Sequence, residues 1–177
     1  MRGIFADPER HLMNDLKFIG ITEENRSAFH SLMRSYAKEL DQHQHRSTDP
    51  EILTRWTDRI IAKQHDMGQC LKLCCCDDEL IGFLYGAIDK SGDKGYNRVG
   101  WGCIVEFYVI PKKRRKGFGR DMLLYLEDFF RKNGVTQLYL TADPVTGKPF
   151  WEALGFVSKG EFCPDNGQEI YEKMLSN

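Results

Sequence analysis

Val105-Glu106-Phe107-Tyr108-Val109-Ile110-Pro111-Lys112-Lys113-Arg114-Arg115-Lys116-Gly117-Phe118-Gly119-Arg120 is the stretch on which the reading of this chain turns. Its first half is dense in β-branched and aromatic residues and ends a strand over 101–110 that Pro111 stops. Five basic residues follow, then a glycine pair, then an amphipathic helix over 117–132. Phe118, Met122, Leu126, Phe129 and Phe130 form the helix's apolar face, and Asn133-Gly134 closes it. A helix N-terminus offers unpaired N–H groups and partial positive charge, which suit a phosphate group. Gly117 and Gly119 remove side chains that would hold a ligand off the backbone, and Lys112 to Lys116 add full positive charge. The order strand, basic turn, glycine pair, helix therefore points to a diphosphate site. It is not a P-loop, because no Gly-Lys-Ser/Thr follows at the required spacing. Nor is it the dinucleotide fingerprint, which needs three glycines and a later acidic residue.

Upstream, Lys17 to Ile21 reads as a short strand and Thr22 as the N-cap of a first helix, with Glu23 and Glu24 in its first turn. Asp41 to Arg46 reads as a polar connection, and Asp49-Pro50-Glu51 opens a second helix. Segments 69–76 and 80–88, joined by Asp77-Asp78-Glu79, form a β-hairpin pattern. Downstream lie a strand over 135–142, a short helix over 149–154 and strands over 156–162 and 168–174. The expected fold class is mixed α/β (α+β): one domain over 14–177, with residues 1–13 as an N-terminal extension. The strand–helix–strand unit at 101–142 should be parallel and right-handed.

Composition narrows the function. The chain has 177 residues, 41% hydrophobic and 29% charged, as in a globular protein with its own core. Lys plus Arg number 25 against 26 Asp plus Glu, so nucleic-acid binding is not expected despite the basic run. A nucleic-acid reading of Lys112 to Lys116 would also leave the glycine pair unexplained. No apolar run approaches the roughly 20 residues that cross a bilayer, and the start lacks a signal-peptide core. A cytoplasmic location, without membrane attachment, is the expectation. Cys74, Cys75 and Cys76 are neighbours whose side chains alternate across a strand, and no Cys-x-x-Cys occurs. The cysteines read as reduced thiols and no metal site is assigned.

Arg114-x-x-Gly117-x-Gly119 resembles the acyl-CoA signature of the GNAT superfamily of N-acetyltransferases. Phe150-Trp151-Glu152-Ala153-Leu154-Gly155-Phe156 resembles that family's short helix ending in Leu-Gly-Phe. The resemblance covers about Lys17 to Met174. It implies a mostly antiparallel central sheet flanked by helices, with a parallel strand pair that splays to hold acetyl-CoA. Phe107, Tyr108 and Val109 would pair with the pantetheine arm. The main-chain N–H groups of Arg115, Lys116, Gly117, Phe118, Gly119 and Arg120 would hold the pyrophosphate, with Arg114 beside it. The Val109 N–H would stabilise the developing oxyanion. Asp143 would bond the cofactor or cap a turn with Pro144.

The activity implied is direct transfer of an acetyl group to a primary amine of a small molecule or a protein end; the alternative is a non-catalytic acyl-CoA-binding sensor module. Glu106, a carboxylate in an otherwise apolar strand, is the candidate base or amine-attracting group. Trp151 stands where many relatives carry a tyrosine that protonates the leaving thiolate, and indole N–H is no useful acid. Trp151 would pack on the pantetheine or acyl group instead. Tyr108 and Tyr139 are the tyrosines on the relevant strands, with water as the other source of a proton. The acceptor would meet the first two helices, the 41–49 connection and the loop at 163–167, and exposed strand edges leave room for a homodimer.

Overall fold

Strand-forming segments line up in one seven-stranded sheet in the computed structural model, which describes residues 16 to 176. The strands are β1 (Leu16–Ile19), β2 (Gln69–Cys76), β3 (Glu79–Ile88), β4 (Gly102–Val109), β5 (Gln137–Thr141), β6 (Val157–Phe162) and β7 (Glu169–Met174). The helices are α1 (Arg26–Gln44), α2 (Pro50–Ala62), α3 (Phe118–Lys132) and α4 (Gly147–Ala153). Spatial order is β1-β2-β3-β4-β5-β7-β6, antiparallel except for β4 beside β5. The proposed extension over 1–13, and the start of the domain at 14, lie outside the described residues. No helix among the described residues is long and apolar enough to cross a membrane.

Both faces of the sheet are covered, and strand alternation assigns each side chain to one of them. Leu71, Leu73, Phe83 and Tyr85 point to α1 and α2, where they meet Phe29, Met33 and Ile60. Cys70, Cys74 and Leu84 point to α3 and α4, meeting Met122, Leu126, Phe130 and Trp151, and Ile81 joins them because the β2–β3 register shifts there, with Cys74 opposite Gly82 and Cys75 opposite Leu80. This double burial explains why β2 and β3 read as nearly continuous apolar runs. It also accounts for the cysteines: no disulfide joins them among the described residues, and Cys74 is fully buried as a small core residue. α3 lies close on the sheet because two strand positions have no side chain. A Cβ at Gly86 would come within 2.7 Å of Leu126, and one at Gly102 within 2.6 Å of Leu138 and 2.8 Å of Phe130.

Local chemistry sets the helix starts. Asp49 caps α2, accepting from the N–H groups of Glu51 at 2.7 Å and Ile52 at 3.3 Å, with Pro50 at the first position. α1 departs from expectation at both ends. Its N-cap is Asn25, not Thr22, because the Asn25 side chain ties the turn before it, accepting from Thr22 N–H and donating to Gly20 O. At the other end α1 runs on through Gln44, so Asp41 to His43 are helical and not a connection; His45 ends the helix in the left-handed conformation. α4 likewise starts earlier than its proline suggests, at Gly147.

Two irregularities shape the centre of the sheet. The β3–β4 register shifts between Tyr85, opposite Glu106, and Gly86, opposite Ile104, leaving Val105 over as a bulge. The parallel ladder of β4 with β5 comprises only Gly102 beside Leu138 and Cys103 beside Tyr139. Beyond Cys103 the two strands part.

Candidate active site

The parting strands leave a cleft of about 620 Å³, walled by Ile104, Phe107 and Val109 of β4 and Leu140 and Thr141 of β5. α1 crosses its mouth, with Tyr36, Glu39 and Leu40 lining it on one helical face. The backbone of β4 is open on this side. Ile110 N–H donates to Ile81 O of β3 at 2.9 Å, so by alternation the N–H groups of Val109 and Phe107 face away from β3, towards the cleft. Val109 O, on the same side, accepts from Arg114 Nε at 2.8 Å.

At the phosphate-suited end, Arg115, Gly117, Gly119 and Arg120 line the cleft. Gly117 is the N-cap of α3 at φ +89°, a conformation that favours glycine, and no side chain caps the helix. The first turn closes with Asp121 N–H on Gly117 O at 3.1 Å, so the amides before Asp121 have no acceptor within the helix. Gly119 has a second reason to be glycine: a Cβ there would lie 2.9 Å from the Phe150 ring of α4. An uncapped, side-chain-free helix start fits a diphosphate.

The basic run does not act as one patch. Lys112 and Lys113 both pair with Glu79 at the start of β3, Lys113 at 2.8 Å, and hold that carboxyl down at about 2. Arg114 meets Glu39 of α1 through both terminal nitrogens, at 2.8 and 2.7 Å, with its guanidinium 5.5 Å over the Tyr108 ring. Lys116 is exposed and Phe118 is buried in the core, so each would offer only its main-chain N–H.

Glu106, the predicted base, does not line the cleft; it lies beside Tyr36, which does. The bulge at Val105 reverses the facing of β4: Ile104 points to α3, whereas Glu106 and Tyr108 point to α1 and α2. Trp56 Nε1 of α2 donates to Glu106 Oε1 at 3.1 Å, and the Tyr36 hydroxyl of α1 is near enough to favour the charged carboxylate. Burial raises the Glu106 pKa to about 7, although Tyr36 and Trp56 both favour the charged form. Tyr36 is itself pushed well above its ordinary value by burial and by the neighbouring carboxyl.

The remaining predicted residues divide. Tyr108 lines the cleft, buried against Tyr36 and Phe83, with its pKa raised by burial. Tyr139 points elsewhere: its hydroxyl donates to Asp89 at 2.5 Å beyond the paired end of β4 and β5. Trp151 is 6% exposed, edge-on to Phe107, Phe150 and Phe156, and forms part of the cleft wall. Asp143 caps the turn into α4, its Oδ2 accepting from Thr146 N–H at 2.8 Å, Thr146 Oγ1 at 3.0 Å and Gly147 N–H at 3.4 Å. Burial would raise this carboxyl, but those bonds and His43, 3.1 Å away, hold it below its ordinary value. Its Oδ1 is buried with no hydrogen-bond partner among the described residues, in a residue that lines the cleft. Asp41, Asp165 and Glu169, the acids near the expected acceptor region, all serve internal hydrogen bonds.

Sequence reading missed Tyr36, Trp56, Glu39 and His43 as site residues. Tyr36 and Trp56 appeared only as members of apolar helix faces; the available signal was that both carry a polar tip that seeks a partner when buried.

Residues 26–156 match the family model described as the acetyltransferase (GNAT) family. This chain belongs to the GNAT family of acetyltransferases. The GNAT enzyme has the fold of the PaiA N-acetyltransferase from Thermoplasma acidophilum in complex with coenzyme A, at 17% identity and TM-score 0.69, over 90% of this chain and 99% of that one. It is similarly related to a GNAT acetyltransferase from Staphylococcus aureus Mu50, at 12% identity and TM-score 0.71, over 91% and 99%. A third similar structure is RimL, a ribosomal L7/L12 alpha-N-protein acetyltransferase, at 16% identity and TM-score 0.65, over 91% of each chain. No curated protein matches the chain. As a GNAT acetyltransferase the protein takes its acetyl group from acetyl-CoA, and the open β4 edge and uncapped α3 suit that co-substrate.

Proposed function

We propose that the enzyme transfers the acetyl group of acetyl-CoA directly to a primary amine within a ternary complex, with Glu106 as general base. The observation that supports this is the position of Glu106: a carboxyl near its midpoint at neutral pH, on the sheet face opposite α3 and beside the cleft mouth. Acetyl-CoA would lie with its diphosphate at Gly117 to Arg120, its pantetheine along Phe107 to Val109 and against Trp151. The acceptor would arrive from beneath α1 and α2.

In this scheme the amine nitrogen loses a proton to Glu106 and attacks the thioester carbon. The Val109 N–H, aimed at the cleft, receives the developing oxyanion. The C–S bond then breaks and the thiolate leaves with a proton. Tyr36 and Tyr108 are the tyrosines that line the cleft, and Tyr36 lies beside Glu106, so Tyr108 is assigned as the donor. Arg114 would stand beside the diphosphate once it shares its guanidinium between Glu39 and the ligand, and Asp143 Oδ1 would take a donor from the pantetheine amides.

Two further assignments belong to this reading. A cytoplasmic location is supported by six cysteines that form no disulfide among the described residues. A homodimer is supported by the edge strand β6, whose Val157 and Phe162 are 56% and 64% exposed.

The test is a panel of amines with acetyl-CoA, reading free thiol release. Glu106→Gln should lower kcat by about 100-fold or more while leaving the CoA dissociation constant within a factor of three. Equal turnover at neutral pH would remove Glu106 from the chemistry.

A further inference from the structure

Arg114 is anchored through every nitrogen of its guanidinium. Nε donates to Val109 O at 2.8 Å, and the two terminal nitrogens donate to the two oxygens of Glu39 at 2.8 and 2.7 Å. The guanidinium carbon stands 5.5 Å over the centre of the Tyr108 ring. Glu39 lies one turn of α1 beyond Tyr36, whose ring is 5.4 Å from that of Tyr108. Both members of the pair are sheltered, the Glu39 side chain 19% exposed and that of Arg114 31%. A fork-to-fork pair in that setting is fixed in direction and escapes much of the screening that weakens surface pairs.

The consequence falls on Val109 and Tyr108. A strand residue's N–H and C=O point the same way, so a bond to Val109 O also fixes the direction of the Val109 N–H, which faces the cleft. The short helical turn over Pro111–Lys113 folds the chain back and lets Arg114 reach that oxygen. Burial raises the Tyr108 pKa; Glu39 adds to the rise and Arg114 opposes it, so the phenol keeps its proton. Glu39, Tyr108, Val109 and Arg114 all line the cleft. The other N–H donors of Arg114 meet no acceptor among the described residues.

We propose that Glu39 is a positioning residue: acting through Arg114, it holds Val109 and Tyr108 in place for acetyl transfer and turns the rest of the guanidinium towards the diphosphate. This rests on Val109 as oxyanion donor and Tyr108 as proton donor in the proposed transfer. The Glu39 carboxylate is also a like charge near the diphosphate, so it opposes the binding that its geometry serves. Its removal therefore has two effects of opposite sign. Arg114, no longer balanced, draws the diphosphate more strongly, but follows the ligand and gives up Val109 O and the Tyr108 ring. Ground-state binding gains while the transition state loses.

The experiment compares wild type with Glu39→Ala and Glu39→Gln. It reads kcat with a primary amine that wild type acetylates, calorimetric titration with CoA, and NMR hydrogen exchange at Arg114 Nε–H. Glu39→Ala should lower kcat about tenfold or more, tighten CoA binding about threefold or more and speed the Nε–H exchange about tenfold or more. Glu39→Gln keeps one acceptor oxygen on the same stem, so it should tighten CoA equally and lose less kcat. Thermal melts run alongside. A Glu39→Ala enzyme whose melting temperature, CoA affinity and kcat all fall together shows that Glu39 only ties α1 to the sheet, and overturns the proposal. So does a kcat within about threefold of wild type. If wild type turns over no amine, yet Glu39→Ala binds CoA more tightly and exchanges faster, the hold of Glu39 on Arg114 stands and the catalytic reading fails. If turnover is seen and neither CoA affinity nor exchange responds to Glu39→Ala, the reverse holds.

Discussion

Trp56 Nε1 donates to Glu106 Oε1 across 3.1 Å, joining α2 to the centre of β4 from 50 residues away. The bond does more than close a gap. It supplies a donor to a carboxyl that burial would otherwise keep protonated to higher pH, and it ties that carboxyl to α2.

Trp56→Phe keeps an aromatic ring and removes the donor. Losing a hydrogen bond to the charged form should raise the Glu106 pKa above about 7. The expected outcome is a rising limb of the kcat/KM–pH profile displaced upward by about half a unit to one unit, with kcat at high pH largely retained. A uniform loss of activity at all pH values would show that Trp56 only packs.

Glu106 also couples stability to pH. Its folded-state pKa of about 7 is raised above the ordinary 4.5, so between those values the native state binds more protons than the unfolded chain. The stability linked to its proton is full below about 4.5, declines as pH rises and is gone above about 7. Glu106→Gln removes this loss. Its Tm should exceed that of wild type at pH 8 by several degrees, and the difference should narrow towards pH 5. Scanning calorimetry at the two pH values measures both arms.

Gly119→Glu should abolish CoA binding by placing a negative charge at the α3 N-terminus and a Cβ 2.9 Å from the Phe150 ring. Gly119→Ala separates the two causes. It should cost about 1–2 kcal/mol of stability and weaken CoA less than tenfold, against 100-fold or more for the glutamate. Calorimetric titration with CoA, alongside thermal melts, distinguishes them.

Gly102→Ala is expected to destabilise without touching the site. Its Cβ would meet Leu138 at 2.6 Å and Phe130 at 2.8 Å, so α3 must lift from the sheet or both side chains must shift. A loss of about 1–3 kcal/mol is expected, read as a lower urea midpoint at unchanged slope. An unchanged midpoint would show that the α3 contact yields freely.

How much was legible depended on how far apart in the chain the contributing groups lie. Strand, turn and helix N-terminus at 102–132 are consecutive, and their apolar periodicities and glycines were readable as written. The start of α1 was misread because Thr22 and Asn25 are both acceptable caps, and the choice fell to a bond from Asn25 to Gly20 O. The end of α1 was misread because a polar run on a helix surface resembles a connection. The fate of the basic run was not legible either, since Glu79 and Glu39, which take three of its side chains, come from the hairpin and from α1.

The sequence by itself determined that a diphosphate would find unpaired amides where α3 begins, because those amides belong to one short continuous segment and a helix start leaves them open whatever surrounds it. Only the tertiary structure decided which way Glu106 faces and how readily it ionises. A one-residue bulge opposite β3 reversed the alternation of β4, and the Trp56 donor, the neighbouring Tyr36 and the burial that set the carboxyl's charge come from helices elsewhere in the chain. Facing and ionisation are properties of surroundings, and surroundings exist once the chain has folded.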